Sequence, residues 1–236
     1  MSRDYLLQKQ QHKKQAAQSG QTNLRTAANN PSGSAGGVNG ASQSAKTEPI
    51  QLVCGLGNPG TEYEFTRHNI GYLTIDELAR MYNASYWKTK PGALVTEITV
   101  DSRKIILVKP TAFMNVSGGP IKAVASEYRI PAAGILVVHD DLELAAGKVA
   151  VRFGGGLAGH NGLRSLSDKL TTPNFGRVRC GIGRPPGRME PAAFVLKDTR
   201  GQERDELLFL TADAARACEY ALMQGISQAS AHFSAH

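Results

Sequence analysis

Apolar runs and helical spacings alternate along the chain from residue 50 onward. IQLVCGL (50–56) is a short apolar run closed by glycine, which predicts a strand buried on both faces. HNIGYLTIDELARMYN (68–83) carries apolar residues at 70, 73, 75, 78 and 81, close to one helical face. ALVTEITV (93–100) and KIILVKP (104–110) predict two strands joined by the turn DSR. SGGPIKAVASEYR (117–129) predicts a helix with Ser117 as its N-cap. GILVVHD (134–140) predicts another buried strand, KVAVRF (148–153) a further strand, NGLRSLSDKL (161–170) a helix and GRVRCGIG (176–183) a strand. A last helix is predicted from about 202 to 225. Strands alternating with helices imply one α/β domain over 49–236, with a parallel or mixed sheet. No repeat and no second domain is visible.

Residues 1–48 differ in kind. They are rich in Gln, Ser, Ala, Asn and Gly, and residues 1–49 carry 6 basic side chains against 2 acidic ones. Such a segment cannot bury enough apolar surface to offset the entropy of ordering it. Two readings fit: a disordered cytoplasmic extension, or an acid-poor transit peptide for a mitochondrion or plastid. It lacks the apolar core of a secretory signal. No apolar run approaches the ~18 residues of a membrane span. The three cysteines, Cys54, Cys180 and Cys218, are far apart and form no C-x-x-C pair. They support neither zinc nor a disulfide framework and read as small buried hydrophobes in a reducing compartment.

Charge is focused. Residues 148–188 hold 8 basic side chains (Lys148, Arg152, Arg164, Lys169, Arg177, Arg179, Arg184, Arg188) and one acid, Asp168, while 50–147 hold 9 against 10. A local excess of arginine suits a polyanion with phosphates. The competing reading is a solvated basic face.

Polar residues gather where strands are expected to end, and in open α/β sheets sites form beyond the carboxyl ends of strands. Asn58 follows the first strand, Asn115 follows KIILVKPTAFM, Asp140 and Asp141 follow GILVVH, and GGGLAGHNG ends in His160 and Asn161. With His68, the set contains one base for neutral pH, a carboxylate to orient it, and several amides. No G-x-S-x-G nucleophile elbow occurs. That is a kit for attack of an activated water on an acyl carbon. His68 is expected at the start of its helix, where the positive end disfavours imidazolium, while a carboxylate would fix its tautomer. Plainer readings exist for each member. Asn58 before Pro59-Gly60 suits a turn, Asn161 could cap the following helix, and a lone His at a helix start is often a surface residue. HDD at 139–141 lacks the further ligands of a metal site. GLGNPG lacks the spacing of a dinucleotide loop.

Five ordered stretches, GLGNPGTEYEFTRHNIG, PTAFMNVSG, VVHDDLEL, GGGLAGHNGLRSL and FGRVRCGIGRP, together resemble the bacterial-type peptidyl-tRNA hydrolase family from about Gln51 to Phe233. The resemblance implies a single domain with a twisted mixed β-sheet flanked by helices. It implies hydrolysis, without metal or other cofactor, of the ester joining a peptide to tRNA, by a monomer whose partner is peptidyl-tRNA. By position, His68 matches the base that activates water and Asp140 the carboxylate that orients it. Asn58 and Asn115 match amides that hold the peptide and the tRNA 3′ end, with Phe113 and Met114 on the same substrate side. Asn161 matches an amide that helps place water and tRNA, and Tyr63 a contact to the terminal nucleotide. Arg152 and Arg179 match contacts to tRNA phosphate. His160 is expected to be structural or at the rim.

The chain departs from the family pattern at Ala150, where a basic residue is common, at Ala145-Ala146, where a proline is usual, and at Leu157-Ala158, where glycine or a small polar residue is usual. These touch tRNA affinity and loop geometry rather than the chemistry. RPPGRMEPAAFVL is similar to organellar versions, which favours the transit-peptide reading of the leader. Some plastid relatives act in group II intron splicing without hydrolysis. The complete set His68, Asp140, Asn58, Asn115 and Asn161 favours an enzyme instead. A generic small-ester hydrolase would not need the basic 148–188 region.

Overall fold

Apolar runs too short for helices become the middle of one sheet. In a computed structural model describing residues 48–234, strands β1 (Leu52–Gly55), β2 (Lys88–Lys90), β3 (Ala93–Val100), β4 (Arg103–Pro110), β5 (Ile135–Asp141), β6 (Val149–Phe153) and β7 (Gly176–Gly181) form a seven-stranded sheet in the order β2-β3-β4-β1-β5-β7-β6. β1 lies parallel to β4 and β5, and β5 parallel to β7, while β2-β3, β3-β4 and β6-β7 are antiparallel. The sheet is therefore mixed. Every residue of β1 and β5 is buried, as the apolar runs of β1 and of Ile135–Val138 require, and the burial extends to the polar His139, Asp140 and Asp141.

Helices α1 (Ile70–Met81), α2 (Gly118–Glu127), α3 (Asn161–Leu170), α4 (Pro191–Leu196), α5 (Gln202–Gln224) and α6 (Ile226–His232) flank the sheet. One core packs α1, α5 and α6 against the sheet through Ile75, Leu78, Ala214, Cys218 and Ile226. The other packs α2 and α3 through Ile121, Val124, Leu163 and Leu166. All three cysteines are free and buried, and burial pushes their thiols well above the ordinary range. None of the helices among the described residues is long and apolar enough to cross a membrane. The leader reading of 1–48 falls, up to residue 47, outside the described residues.

Three local findings differ from the pattern. α1 starts at Ile70, two residues after His68, which sits instead in a single 3-10 turn, Arg67–Asn69. Ser117 does not cap α2, since its hydroxyl donates back to the carbonyls of Phe113 and Met114. β2, α4 and α6 were not expected, because KTK is a polar edge and the two helices are only 6 and 7 residues long. The DSR turn holds: Val100 pairs with Arg103, and Asp101 and Ser102 take φ of 46° and 63°.

One close approach fixes the chain at the carboxyl end of β1. A Cβ on Gly55 would lie 2.1 Å from the Gly71 carbonyl oxygen, and one on Gly71 would lie 2.4 Å from Leu56 N. The end of β1 and the first turn of α1 therefore touch backbone to backbone. That contact sets the loop from Asn58 to His68 directly above the sheet edge.

Candidate active site

The parallel strands β1, β4 and β5 end on the same side of the sheet, and their following residues line one cavity of about 540 Å³. Asn58, Tyr63 and His68 come from the loop after β1, and Phe113, Met114 and Asn115 follow β4. Asp140 is at the end of β5, and His160 and Asn161 open α3. Pro191, Ala192, Val195 and Leu196 of α4 make an apolar wall that the sequence pattern missed.

His160 and Asn161 reach this edge by an unexpected route. β6 is antiparallel to β7, so it ends beside Gly176, which itself pairs with Leu136 near the start of β5. The Gly-rich loop must then travel about four residues of strand rise, roughly 13 Å, to bring His160 to Asp140. Arg177 steadies it. This guanidinium is 1% exposed and donates to the carbonyls of Gly155, Gly156 and Pro173 while lying over Phe175. Burial first, then Arg152 and Arg179 nearby, pull it down to about 10. One arginine counted in the basic excess is thus an internal brace.

Asp140 is buried and uses a single oxygen twice. Its Oδ1 accepts from His68 Nδ1 at 2.8 Å and from His160 Nε2 at 3.0 Å. Burial alone would raise this carboxyl, but His160 and His68 outweigh it and hold the group well below the usual carboxylate range. The hydrogen bonds also assign tautomers. His68 donates through Nδ1, so its Nε2 keeps a lone pair and the ring edge lines the cavity. His160 Nδ1 accepts from the amides of Gly162 and Leu163, so its Nε2 carries the proton given to Asp140. His160 therefore caps α3, the role considered for Asn161, and has no nitrogen left to act as a base. It lies at the centre of the cavity rather than at its rim, bonded to Asp140 and to the start of α3.

A third ring, His139, donates from Nδ1 to the carbonyl of Asp140 and packs edge-on against His160 with centroids 5.1 Å apart. Its Nε2 is buried without a partner among the described residues. Burial, with His160 next, pushes it down to about 3, so it stays neutral. Sequence reasoning weighed this residue only as a metal ligand within HDD.

The amides are anchored with equal care. Asn58 Oδ1 accepts from Met114 N at 2.8 Å, which leaves Nδ2 as the group it can offer to the cavity. Asn69 holds the Asn58 backbone at both ends, accepting from its N–H at 2.8 Å and donating to its carbonyl at 2.9 Å. Asn69 was also missed, although it stands beside His68 in TRHN. Tyr63 meets Phe113 edge-on, with ring centroids 6.5 Å apart.

Arg152 and Arg179 lie outside this cavity, in an adjoining one of about 260 Å³ that shares His139, Asp141 and Ala158 with it. Arg179 Nε donates to Asp141 Oδ2 at 2.7 Å. Burial would raise Asp141, but the hydrogen bond from Arg179 holds it below its ordinary range. Arg152 folds beneath the Gly-rich loop, where a Cβ on Gly155 would fall 1.9 Å from its Nη2. Gly155 is favoured by its φ of 98°, while the Arg152 guanidinium beside it could swing away from a side chain. Of the departures, Ala150 is buried in β6, and Ala158 takes φ 46° in the loop, a conformation glycine holds more easily.

A histidine oriented by a buried carboxylate at the edge of a mixed sheet, with amides around an apolar cavity, defines a hydrolytic α/β enzyme. Residues 52–236 match the family model described as peptidyl-tRNA hydrolase. The chain is 44% identical over 191 residues to a peptidyl-tRNA hydrolase of Kineococcus radiotolerans, covering 78% of this chain and 96% of that protein. It is 48% identical over 179 residues to one of Rhodococcus erythropolis, covering 75% and 94%. A solved peptidyl-tRNA hydrolase of Acinetobacter baumannii superposes with a TM-score of 0.72 at 31% identity, covering 79% of this chain and 95% of that one. The chain belongs to the peptidyl-tRNA hydrolase family, and it is an enzyme of hydrolysis.

Proposed function

We propose that the chain hydrolyses the ester of peptidyl-tRNA by direct attack of a water activated by His68, freeing tRNA for reuse. The observation that carries this reading is the 2.8 Å bond from His68 Nδ1 to Asp140 Oδ1, which leaves Nε2 as the free base in the cavity. As the water oxygen bonds to the ester carbonyl carbon, Nε2 takes its proton. Asp140 stays ionised and steadies the imidazolium, as a triad carboxylate does. Asn58 Nδ2 and the Asn115 amide supply donors for the oxyanion and the peptide backbone. Collapse of the tetrahedral intermediate breaks the bond to the ribose oxygen, which takes the proton back from His68.

Tyr63, Phe113, Met114 and Asn161 would hold the acylated terminal nucleotide and the first peptide residues. Arg152 and Arg179 would meet a tRNA phosphate in the adjoining cavity. Every group is supplied by one chain, so a monomer suffices for the chemistry. His68, Asp140 and His160 offer ligand atoms within 4.8 Å of one another. Both rings spend a nitrogen on Asp140 Oδ1, and His160 has no nitrogen to spare, which supports a metal-free reaction. The bacterial relatives favour the cytoplasmic reading over an organellar one.

The test is release of peptide from N-acetyl-aminoacyl-tRNA by the full chain with EDTA present, beside His68→Ala. Release that survives EDTA and falls at least ~10²-fold in the variant is expected from loss of a general base. Near-normal turnover in His68→Ala overturns the mechanism. RNA binding without release would move the chain to the splicing-factor class.

A further inference from the structure

We infer that Arg67 is a positioning residue for His68, and that it locks the turn carrying the base to the helix that forms the apolar wall of the cavity. The inference rests on the reading of His68 as the base. The turn Arg67–Asn69 has no side-chain cap of its own. Its N-terminal side is fixed instead to a segment far along the chain. Thr66 forms an isolated antiparallel bridge with Asp198, and Thr199 donates both its N–H and its hydroxyl to the carbonyl of Phe65. Arg204 covers the Phe65 ring at 4.0 Å and ties back to Asp198 and the Thr199 carbonyl.

Arg67 completes this junction from the residue next to the base. Its Nη2 donates to Glu203 Oε1 of α5 at 3.0 Å, and its Cζ lies 4.3 Å from the ring centroid of Phe194 in α4. Val195 and Leu196, the two residues after Phe194, line the cavity with His68. The base and the apolar wall are thus joined through one guanidinium.

That guanidinium is poorly suited to a purely structural task. Its side chain is 13% exposed, and Nη1 is buried with no hydrogen-bond partner among the described residues. Glu203, its single carboxylate, is 41% exposed and is shared with Lys197. A nearly buried cation with one half-exposed partner contributes little to stability, and an apolar side chain of similar length does as well or better. Holding a base in register is a different demand, since displacements of about 1 Å can cost on the order of a hundredfold in rate.

Arg67→Met should therefore separate the two roles. We expect kcat on N-acetyl-aminoacyl-tRNA to fall about tenfold or more, with KM changed less than about twofold and Tm unchanged or higher. Arg67→Lys, which keeps the charge but not the planar fork over Phe194, should recover only part of kcat. A kcat within twofold of the parent, or a kcat loss matched by a fall in Tm and in the folded fraction, overturns the inference. If Arg67→Met does not fold, Glu203→Gln carries the same test at the exposed end of the pair, with a smaller kcat loss expected at unchanged Tm. His68→Ala is measured alongside. Retained turnover there sinks the base reading itself, whereas an inactive His68→Ala beside a fully active Arg67→Met sinks only the role of Arg67.

Discussion

Asn69 grips the backbone of Asn58 at both its N–H and its carbonyl, through one side-chain amide. The grip leaves the Asn58 side chain free to bind Met114 N, so one buried amide sets the loop that opens the cavity. Asn69→Asp keeps the shape but sets an oxygen against the Asn58 carbonyl. A stability loss of ~1–3 kcal/mol is expected, the usual cost of an unmatched buried polar group. Denaturant unfolding measures it, and turnover should fall with it because Asn58 shifts. Unchanged stability would mean the loop is held elsewhere.

His160 has two structural tasks in one ring, capping α3 and bonding Asp140. His160→Ala should lose about 1 kcal/mol from the cap alone, and more from the lost bond to Asp140, whose Oδ1 then keeps only His68. Turnover should fall, but less than in His68→Ala, because Asp140 still holds the base. Steady-state rates of the two variants side by side decide this. Equal losses would make His160 a proton carrier, against the tautomer its bonds assign.

Acid should destabilise the fold before the carboxylates titrate. His139 has a folded value of about 3, below its ordinary 6.5. The unfolded chain therefore binds its proton first, and this contribution to stability, complete above about pH 6.5, is lost as pH falls toward 3. Its slope is at most ~1.4 kcal/mol per pH unit. Asp140, also depressed in the fold, adds its own loss only below its ordinary 3.8. Unfolding free energies between pH 4.5 and 6.5 should be steeper in the parent than in His139→Asn, which retains a donor to the Asp140 carbonyl. Parallel slopes would show that His139 is not the group responsible.

Arg179 tests the nucleic-acid side. Arg179→Ala should weaken tRNA binding and reduce the slope of log affinity against log salt by about 1, as loss of one phosphate contact does. Hydrolysis of short aminoacyl-ester fragments should be spared. Because Asp141 loses its partner, Arg179→Ala should also cost some stability, which Arg152→Ala should not. Equal loss on both substrates would contradict the phosphate contact.

Much of the fold was legible because burial writes itself as pattern. β1 and the first four residues of β5 are apolar runs, which need cover on both faces of the sheet. His68, Asp140 and the three asparagines stood out by residue type at expected strand ends, and the cavity gathers them. What the pattern lacked was direction and partnership. β6 reads as a short apolar stretch, so nothing in VAVRF says that it runs antiparallel and sends the Gly-rich loop back along the sheet. Arg177 reads as a surface cation until Gly155, Gly156 and Pro173 present their carbonyls to it. His160 looks like a rim residue until Asp140, 20 positions away, supplies its partner.

The junction of Arg67 with Glu203 spans 136 residues of sequence. Local contacts can form β3-β4 early, but the turn bearing the base has to wait for 194–204 to arrive from the far end of the chain. Growth from the ribosome is directional, so the stretch from Leu52 to Asp141 emerges with its histidine and its carboxylate both present yet not fixed in place. On the proposed reading of His68 as the base, its fixing in place is thus a late event in the birth of this molecule.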